Sequence, residues 1–237
     1  MAKRFDQYCP IAHAMSLVGE RWALLVIREL LKGPRRYTDL AGGLPGIGTN
    51  VLATRLRELE AAGVVARRRL PPPAASTVYE LTDYGAELEE VLHAVARWGA
   101  RSLGLPRSRD ELDPDWGLNA FPALLYPERA RDVTARYVVR IGDEAFTVGL
   151  DDGCLHVAAG AHGAPDADLA MDFATFYELA SGELDAAEVV DAGRVRVDGD
   201  RDAALRFFEL FNFAPRIAPV AGDGERFGAR VVPVATA

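Results

Sequence analysis

Apolar positions in the first hundred residues recur with helical spacing. After Cys9-Pro10 the pattern predicts a helix to about Val18, interrupted by Gly19. Trp22, Leu25, Val26, Ile27, Leu30 and Leu31 give a broad apolar face between Glu20 and Leu31, and Gly33-Pro34 stops that helix. A short helix is expected from Thr38 to Ala41, with Leu40 inward. Gly42-Gly43, Pro45-Gly46 and Gly48 then make a tight connection. Thr49 is expected to cap the next helix, from Asn50 to about Ala62, which Gly63 ends. Its Leu52, Leu56 and Leu59 fall on one face, with Asn50, Val51, Thr54, Arg55 and Arg57 around the others. Val64 to Leu70 and Thr77 to Leu81 read as strands joined through Pro71-Pro72-Pro73-Ala74-Ala75.

From about residue 113 the period shortens. Asp113-Pro114-Asp115 can cap a helical stretch holding Trp116, Leu118 and Phe121. Val133 to Ile141, Ala145 to Leu150, Cys154 to Ala158 and Asp168 to Asp172 alternate as strands, with turns at Gly142-Asp143 and Asp152-Gly153. Ala174 to Ser181 is helical, Val195 to Asp198 a short strand, and Arg201 to Phe213 a helix carrying Leu205, Phe208 and Phe211. Strands first, with helices packed on the sheet, make an α+β order.

Length and charge divide the chain between these two patterns. Its 237 residues are long enough for two cores. The net charge of −8 hides an asymmetry: residues 1–105 sum to +3 and residues 106–237 to −11. Between them, Gly104 to Pro114 is polar and Pro-flanked, as a linker is. Two domains follow, 1–105 and 106–237. Nucleic acid suits the first and is repelled by the second. No apolar run reaches the ~20 residues of a membrane span, and no apolar stretch follows the basic start as a secretory signal requires. Cys9 and Cys154, the only cysteines, do not make a disulfide framework. A cytoplasmic location without membrane partners is expected.

Helix, short turn, polar-faced helix and two-stranded hairpin form the order of a winged helix-turn-helix. In that geometry the short helix braces on phosphates while the next enters the major groove. Thr49, Asn50, Val51, Thr54, Arg55 and Arg57 are the expected reading face. Arg35, Arg36 and Thr38 are expected at the phosphates, and Arg67, Arg68 and Arg69 on the wing can reach phosphates or the minor groove. A solvated strand edge is the plainer explanation of that arginine run.

Residues 8–100 resemble the HxlR family of bacterial winged-helix regulators. The stretches that carry this are Tyr8-Cys9-Pro10-Ile11, Val18-Gly19-Glu20-Arg21-Trp22 and Gly33-Pro34-Arg35-Arg36-Tyr37-Thr38-Asp39-Leu40. Arg55-Leu56-Arg57-Glu58-Leu59-Glu60-Ala61-Ala62-Gly63, Tyr79-Glu80-Leu81-Thr82-Asp83-Tyr84-Gly85 and Trp98-Gly99 complete it. Glu20-Arg21 replaces a usual Gly-Lys, and Gly48 a usual Ser. The resemblance implies a homodimer formed through terminal helices, a double-stranded DNA operator and a repressor's role. Tyr84, Leu88, Val91, Val95 and Trp98, spaced by fours and threes, make an a/d seam that fits a dimer or a helix packed on its own domain. The family also includes members that sense oxidants or electrophiles through a cysteine placed like Cys9, which marks Cys9 as a redox candidate beside a plain structural thiol.

Residues 113–213 resemble the sterol-carrier-protein-like fold, through Asp168-Leu169-Ala170-Met171-Asp172, Phe176 to Asp185, Gly193 to Asp200 and Phe207-Phe208. That resemblance implies an apolar or aromatic small molecule held between sheet and helices. Phe146, Phe173, Phe176, Leu179, Leu184, Phe207 and Phe211 are its expected walls, or else ordinary core.

Other motifs carry less. Asp198-Gly199-Asp200-Arg201-Asp202 has the alternating acids of a calcium loop, but Ala203 stands where the turn demands Gly. Cys154 with His156, and Cys9 with His13, lack the further ligands that zinc needs. No metal, no cofactor and no catalysis are expected. Three readings remain: an effector-controlled DNA-binding regulator, a thiol-based regulator using Cys9, and a small-molecule carrier whose winged helix serves protein contacts.

Overall fold

A computed structural model of the chain describes residues 5–73, 75–102 and 116–211. The expected linker at 104–114, the cap at Asp113 to Asp115, the final residues 212–237 and Lys3-Arg4 beside Cys9 lie outside the described residues.

The first half opens with α1 (Pro10–Val18) and α2 (Ala23–Leu31). The second starts later than Glu20, because residues 20–22 form a turn closed by the Ala23 N–H on the Glu20 carbonyl at 2.9 Å. A two-residue strand, β1 (Arg35–Arg36), leads into α3 (Tyr37–Gly42). Next comes α4 (Thr49–Ala61), whose end is set by Gly63 at φ 73°, a left-handed position that only glycine adopts cheaply. β2 (Val65–Arg69) and β3 (Thr77–Leu81) follow, antiparallel, with β1 on the outer side of β3. The hairpin tip includes residue 74, outside the described residues. Val26, Ile27, Leu30, Leu40, Leu52, Leu56 and Leu59 form the core that these elements share.

α5 (Asp83–Ala86) is capped by Thr82, whose hydroxyl accepts the Gly85 N–H at 3.0 Å and donates to the Gly63 carbonyl at 2.6 Å. α6 (Leu88–Ala100) follows directly. The expected seam divides here. Tyr84 belongs to α5, and Leu88 turns inward against the first core. Val91, Val95 and Trp98 stay exposed at 47%, 46% and 69%.

In the second half, α7 (Trp116–Leu124) and α8 (Pro127–Ala130) precede the sheet. β4 (Ala135–Ile141), β5 (Glu144–Asp151), β6 (Cys154–Ala159) and β7 (Ala167–Met171) are joined by β8 (Arg196–Gly199), in the order β6-β5-β4-β7-β8. Only β4 and β7 run parallel. Between β7 and β8 lie α9 (Phe173–Ala180) and α10 (Ala186–Asp191), each capped by an aspartate, Asp172 and Asp185. α11 (Arg201–Leu210) closes the described chain. It stops at Leu210, because Phe211 is extended and bridges to Leu125; Phe213 lies outside the described residues.

Bonds between described residues tie the halves together. The Arg97 guanidinium donates to the Leu125 carbonyl at 3.1 Å, and the Tyr177 hydroxyl to the Ala100 carbonyl at 3.3 Å. Both reach the last turns of α6.

Candidate nucleic-acid interface

α4 is held at a fixed roll. Leu52, Leu56 and Leu59 are fully buried, which turns Thr49, Asn50 and Val51 outward at its first turn. The Tyr37 hydroxyl donates to the Thr49 carbonyl at 2.7 Å and joins α3 to the start of α4. Thr49 itself is not the cap. The helix takes in one residue more than expected, so Gly48 is the N-cap and the Thr49 hydroxyl makes no capping bond. Thr54 is half-buried, and Thr38 is exposed at the start of α3.

The two arginines of α4 differ from the expectation. Arg55 has a side chain only 16% exposed, 2.6 Å from the Glu58 carboxylate and 3.9 Å from that of Glu20. It braces the helix on its neighbours rather than standing ready for a base. Arg57 is exposed but folds back, donating to the Ala53 carbonyl at 3.2 Å and the Thr54 hydroxyl at 3.3 Å.

The wing separates its three arginines. Residues along a strand alternate faces, so Arg67 and Arg69 share one side and Arg68 takes the other. Arg68 grips Glu80 with two bonds of 2.7 Å each. That bond holds the Glu80 carboxyl below its usual range and raises the guanidinium further. A bidentate pair of this kind is already satisfied. Arg67 and Arg69 are exposed and carry no ion pair among the described residues. Register places Arg35, Tyr79 and Arg67 in one row across the three strands, and Arg36, Val78 and Arg68 in the next. Sequence reasoning missed this row because β1 is two residues long, too short for an alternation to show.

α2 and its C-cap carry an ion cluster around a buried carboxylate that the sequence did not reveal. Glu29, only 4% exposed, meets Arg28 at 2.8 Å and Lys32 at 3.2 Å.

Comparison with known proteins gives this geometry its context. Residues 17–105 match the HxlR-like helix-turn-helix family, and residues 118–212 the SCP-2 sterol transfer family. An HTH-type transcriptional regulator of Synechocystis, sll1512, is 41% identical over 92 residues, 39% of this chain and 68% of that protein. The HTH-type transcriptional regulator YodB of Bacillus subtilis is 37% identical over 91 residues, 38% of this chain and 81% of that protein.

The chain belongs to the HxlR-like helix-turn-helix family.

It is therefore a DNA-binding transcriptional regulator of the helix-turn-helix type, joined to an SCP-2 domain. Neither family description names a catalysed reaction. The reduced form of YodB is 35% identical and covers 40% of this chain and 94% of that one, with a TM-score of 0.37. The family assignment of this HxlR-like regulator rests on sequence identity, not on that overlay.

In the SCP-2 domain the expected cavity walls are packed together. Phe146, Phe176, Leu179, Phe207 and Phe211 are buried, and Phe173 and Leu184 pack against them. Phe121, which sequence reasoning left out of the set, is the hub. Its ring meets Phe146, Phe176, Phe207 and Phe211 edge-on at 5.6–6.1 Å. Gly117 is required one turn earlier, since a Cβ there would lie 2.6 Å from the Phe146 ring.

Cys9 is half-buried and forms the N-cap of α1. It lines a hollow of about 340 Å³ with Tyr8, His13 and Ser16. No helix among the described residues is long and apolar enough to cross a membrane, and no group of three or more His, Cys, Asp or Glu there could hold a metal.

Proposed function

We propose that this HxlR-like regulator is a dimeric, cytoplasmic repressor in which residues 1–105 hold DNA and residues 106–237 receive an apolar or aromatic effector. It carries out no catalysis of its own. The observation that carries the DNA reading is the pairing of a locked α4, presenting Asn50 and Val51, with a wing whose Arg67 and Arg69 are free of ion pairs among the described residues. Arg35, Arg36 and Thr38 supply phosphate contacts, with Thr49 and Thr54 beside the bases. Dimerisation uses Val91, Val95 and Trp98 of α6, whose exposure leaves apolar area that a second copy covers.

The effector reaches the operator through α6. Arg97 and Ala100 on that helix bond the SCP-2 domain, while the same helix carries the dimer surface. An effector entering among Phe146, Phe173, Phe176, Leu179, Leu184, Phe207 and Phe211 displaces rings that now fill the core. It acts only by binding the rearranged state more tightly than the packed one.

The test is selection of a duplex from a random-sequence pool by the full-length protein, followed by titration with apolar compounds. A selected duplex bound at least about 1,000-fold more tightly than a scrambled one supports specific recognition. Equal affinities overturn it. Release by an apolar compound supports the effector domain. A second reading places the sensor at Cys9, favoured by its position in an open hollow beside His13. Release by oxidant that disappears in Cys9→Ser, with no compound effective, selects that reading.

A further inference from the structure

A cleft of about 410 Å³ opens where β4 and α11 begin, in the SCP-2 domain beside the ring cluster. Asp132, Asp166, Asp200 and Asp202 line it, with Arg206 as the one cation among its lining residues. Val133, Ala135 and Ala203 give it an apolar wall. Two of the acids are partly engaged. Asp166 Oδ2 accepts the Arg136 N–H at 2.8 Å, and Asp200 Oδ1 accepts the N–H groups of Asp202 and Ala203 at 2.8 and 3.4 Å. The second oxygen of each carboxylate has no hydrogen bond among the described residues.

The deciding group is Tyr137. The residue lines the cleft and its side chain is fully buried beneath it, yet its hydroxyl has no hydrogen-bond partner among the described residues. A buried hydroxyl left unpaired is costly, so a native chain retains one where something else satisfies it. The ring is fixed edge-on against Phe207 at 5.2 Å. Its hydroxyl end feels the charges of Arg206 and Asp166, both lining the same cleft, and burial raises its pKa. The phenol is thus rooted in the core, with its hydroxyl end near Arg206 and Asp166.

The acids are too dispersed for a metal, since no group of three or more ligating side chains among the described residues could hold one. A spread of negative charge beside an apolar wall suits an organic cation instead. We propose that this cleft binds a protonated primary amine carried on a short apolar body. The ammonium, with three donors and no acceptor, bonds the Tyr137 oxygen and the free carboxylate oxygens, while the body lies on Val133 and Ala203. Arg206 is exposed and without an ion pair among the described residues, and it swings outward to admit the ligand. Tyr137 touches the ring cluster through Phe207, but the acidic lining sets this ligand apart from the apolar effector proposed there.

Calorimetric titration of the full-length protein with three matched probes tests this: 2-phenylethylamine, 2-phenylethanol and 3-phenylpropanoate. The cation is expected to bind at least about tenfold more tightly than the alcohol, and the anion more weakly than either. Two variants keep the fold. Tyr137→Phe removes only an unpaired hydroxyl. Asp132→Asn removes only charge at a residue whose φ of 59° asparagine tolerates. Each should weaken the amine about fivefold or more and leave the alcohol unchanged. An amine bound no tighter than the alcohol, or bound equally by wild type and both variants, overturns the proposal.

Discussion

Replacing Arg67 and Arg69 together by Gln should flatten the salt dependence of DNA binding, while removing the Arg68–Glu80 pair should not. Each lost phosphate contact lowers the slope of log K against log salt by about 0.9. Two contacts per protomer amount to about 1.8, and about 3.6 in a two-fold dimer. Between about 50 and 200 mM salt, the affinity lost on adding salt then shrinks by about 12-fold for one protomer, or about 150-fold for the dimer. Arg68→Gln/Glu80→Gln deletes a pair that is neutral overall and already bonded at 2.7 Å through two of the guanidinium nitrogens. Its slope should stay within about 0.5 of wild type. The assay is fluorescence anisotropy on the selected duplex at several salt concentrations. Equal flattening by both double variants would refute the alternation of the wing, and an unchanged slope in Arg67→Gln/Arg69→Gln would refute its contact with phosphates.

Further outcomes follow from burial and charge. Trp98→Glu should halve the sedimenting mass at micromolar protein without moving the thermal midpoint, because Trp98 is exposed in the single chain; a dimer that survives places the interface elsewhere. Glu29→Ala removes the buried carboxylate that meets Arg28 at 2.8 Å and Lys32 at 3.2 Å, and should cost about 1–3 kcal/mol in urea unfolding. The Thr175 N–H bonded to Asp172 holds that carboxyl below its usual value. The cap therefore stabilises the fold above the ordinary carboxylate range, and this contribution is lost as pH falls through the depressed value. Asp172→Asn still accepts that N–H, so its stability should decline less between about pH 5 and pH 2 in circular dichroism melts; identical acid profiles would remove the cap from the account.

Periodicity was enough for the helices and strands that bury a face. Leu52, Leu56 and Leu59 are inward as their spacing predicts, and β3 spans Thr77–Leu81 as read. What escaped was set by partners distant in sequence. Arg67, Arg68 and Arg69 are chemically alike in one dimension. Glu80, twelve positions on from Arg68, separates them only once the hairpin fixes its register. Arg55 looked like a base reader because the weight of its i,i+3 neighbour Glu58 was not read from the helix spacing, and Glu20 approaches it only in the fold. The short α10 and two-residue β1 carry too few residues to show a period. Phe121 was read merely as part of a helix, since a ring's role as a hub depends on contacts that no local pattern encodes.

α6 has no idle face. Leu88 and Leu92 anchor it in the first core, Val91, Val95 and Trp98 look out to solvent, and Arg97 and Ala100 hold the second domain. Thirteen residues make a rod about 20 Å long. A rod cannot turn on one side only. Inserting a single residue between Val91 and Arg97 would swing everything downstream by about 100° around its axis, as 3.6 residues per turn requires. The grip on the second domain would then no longer agree with the anchor that Leu88 sets in the first core. Substitutions along this helix are thus read by three audiences at once, and a change that suits one is heard as an error by the others.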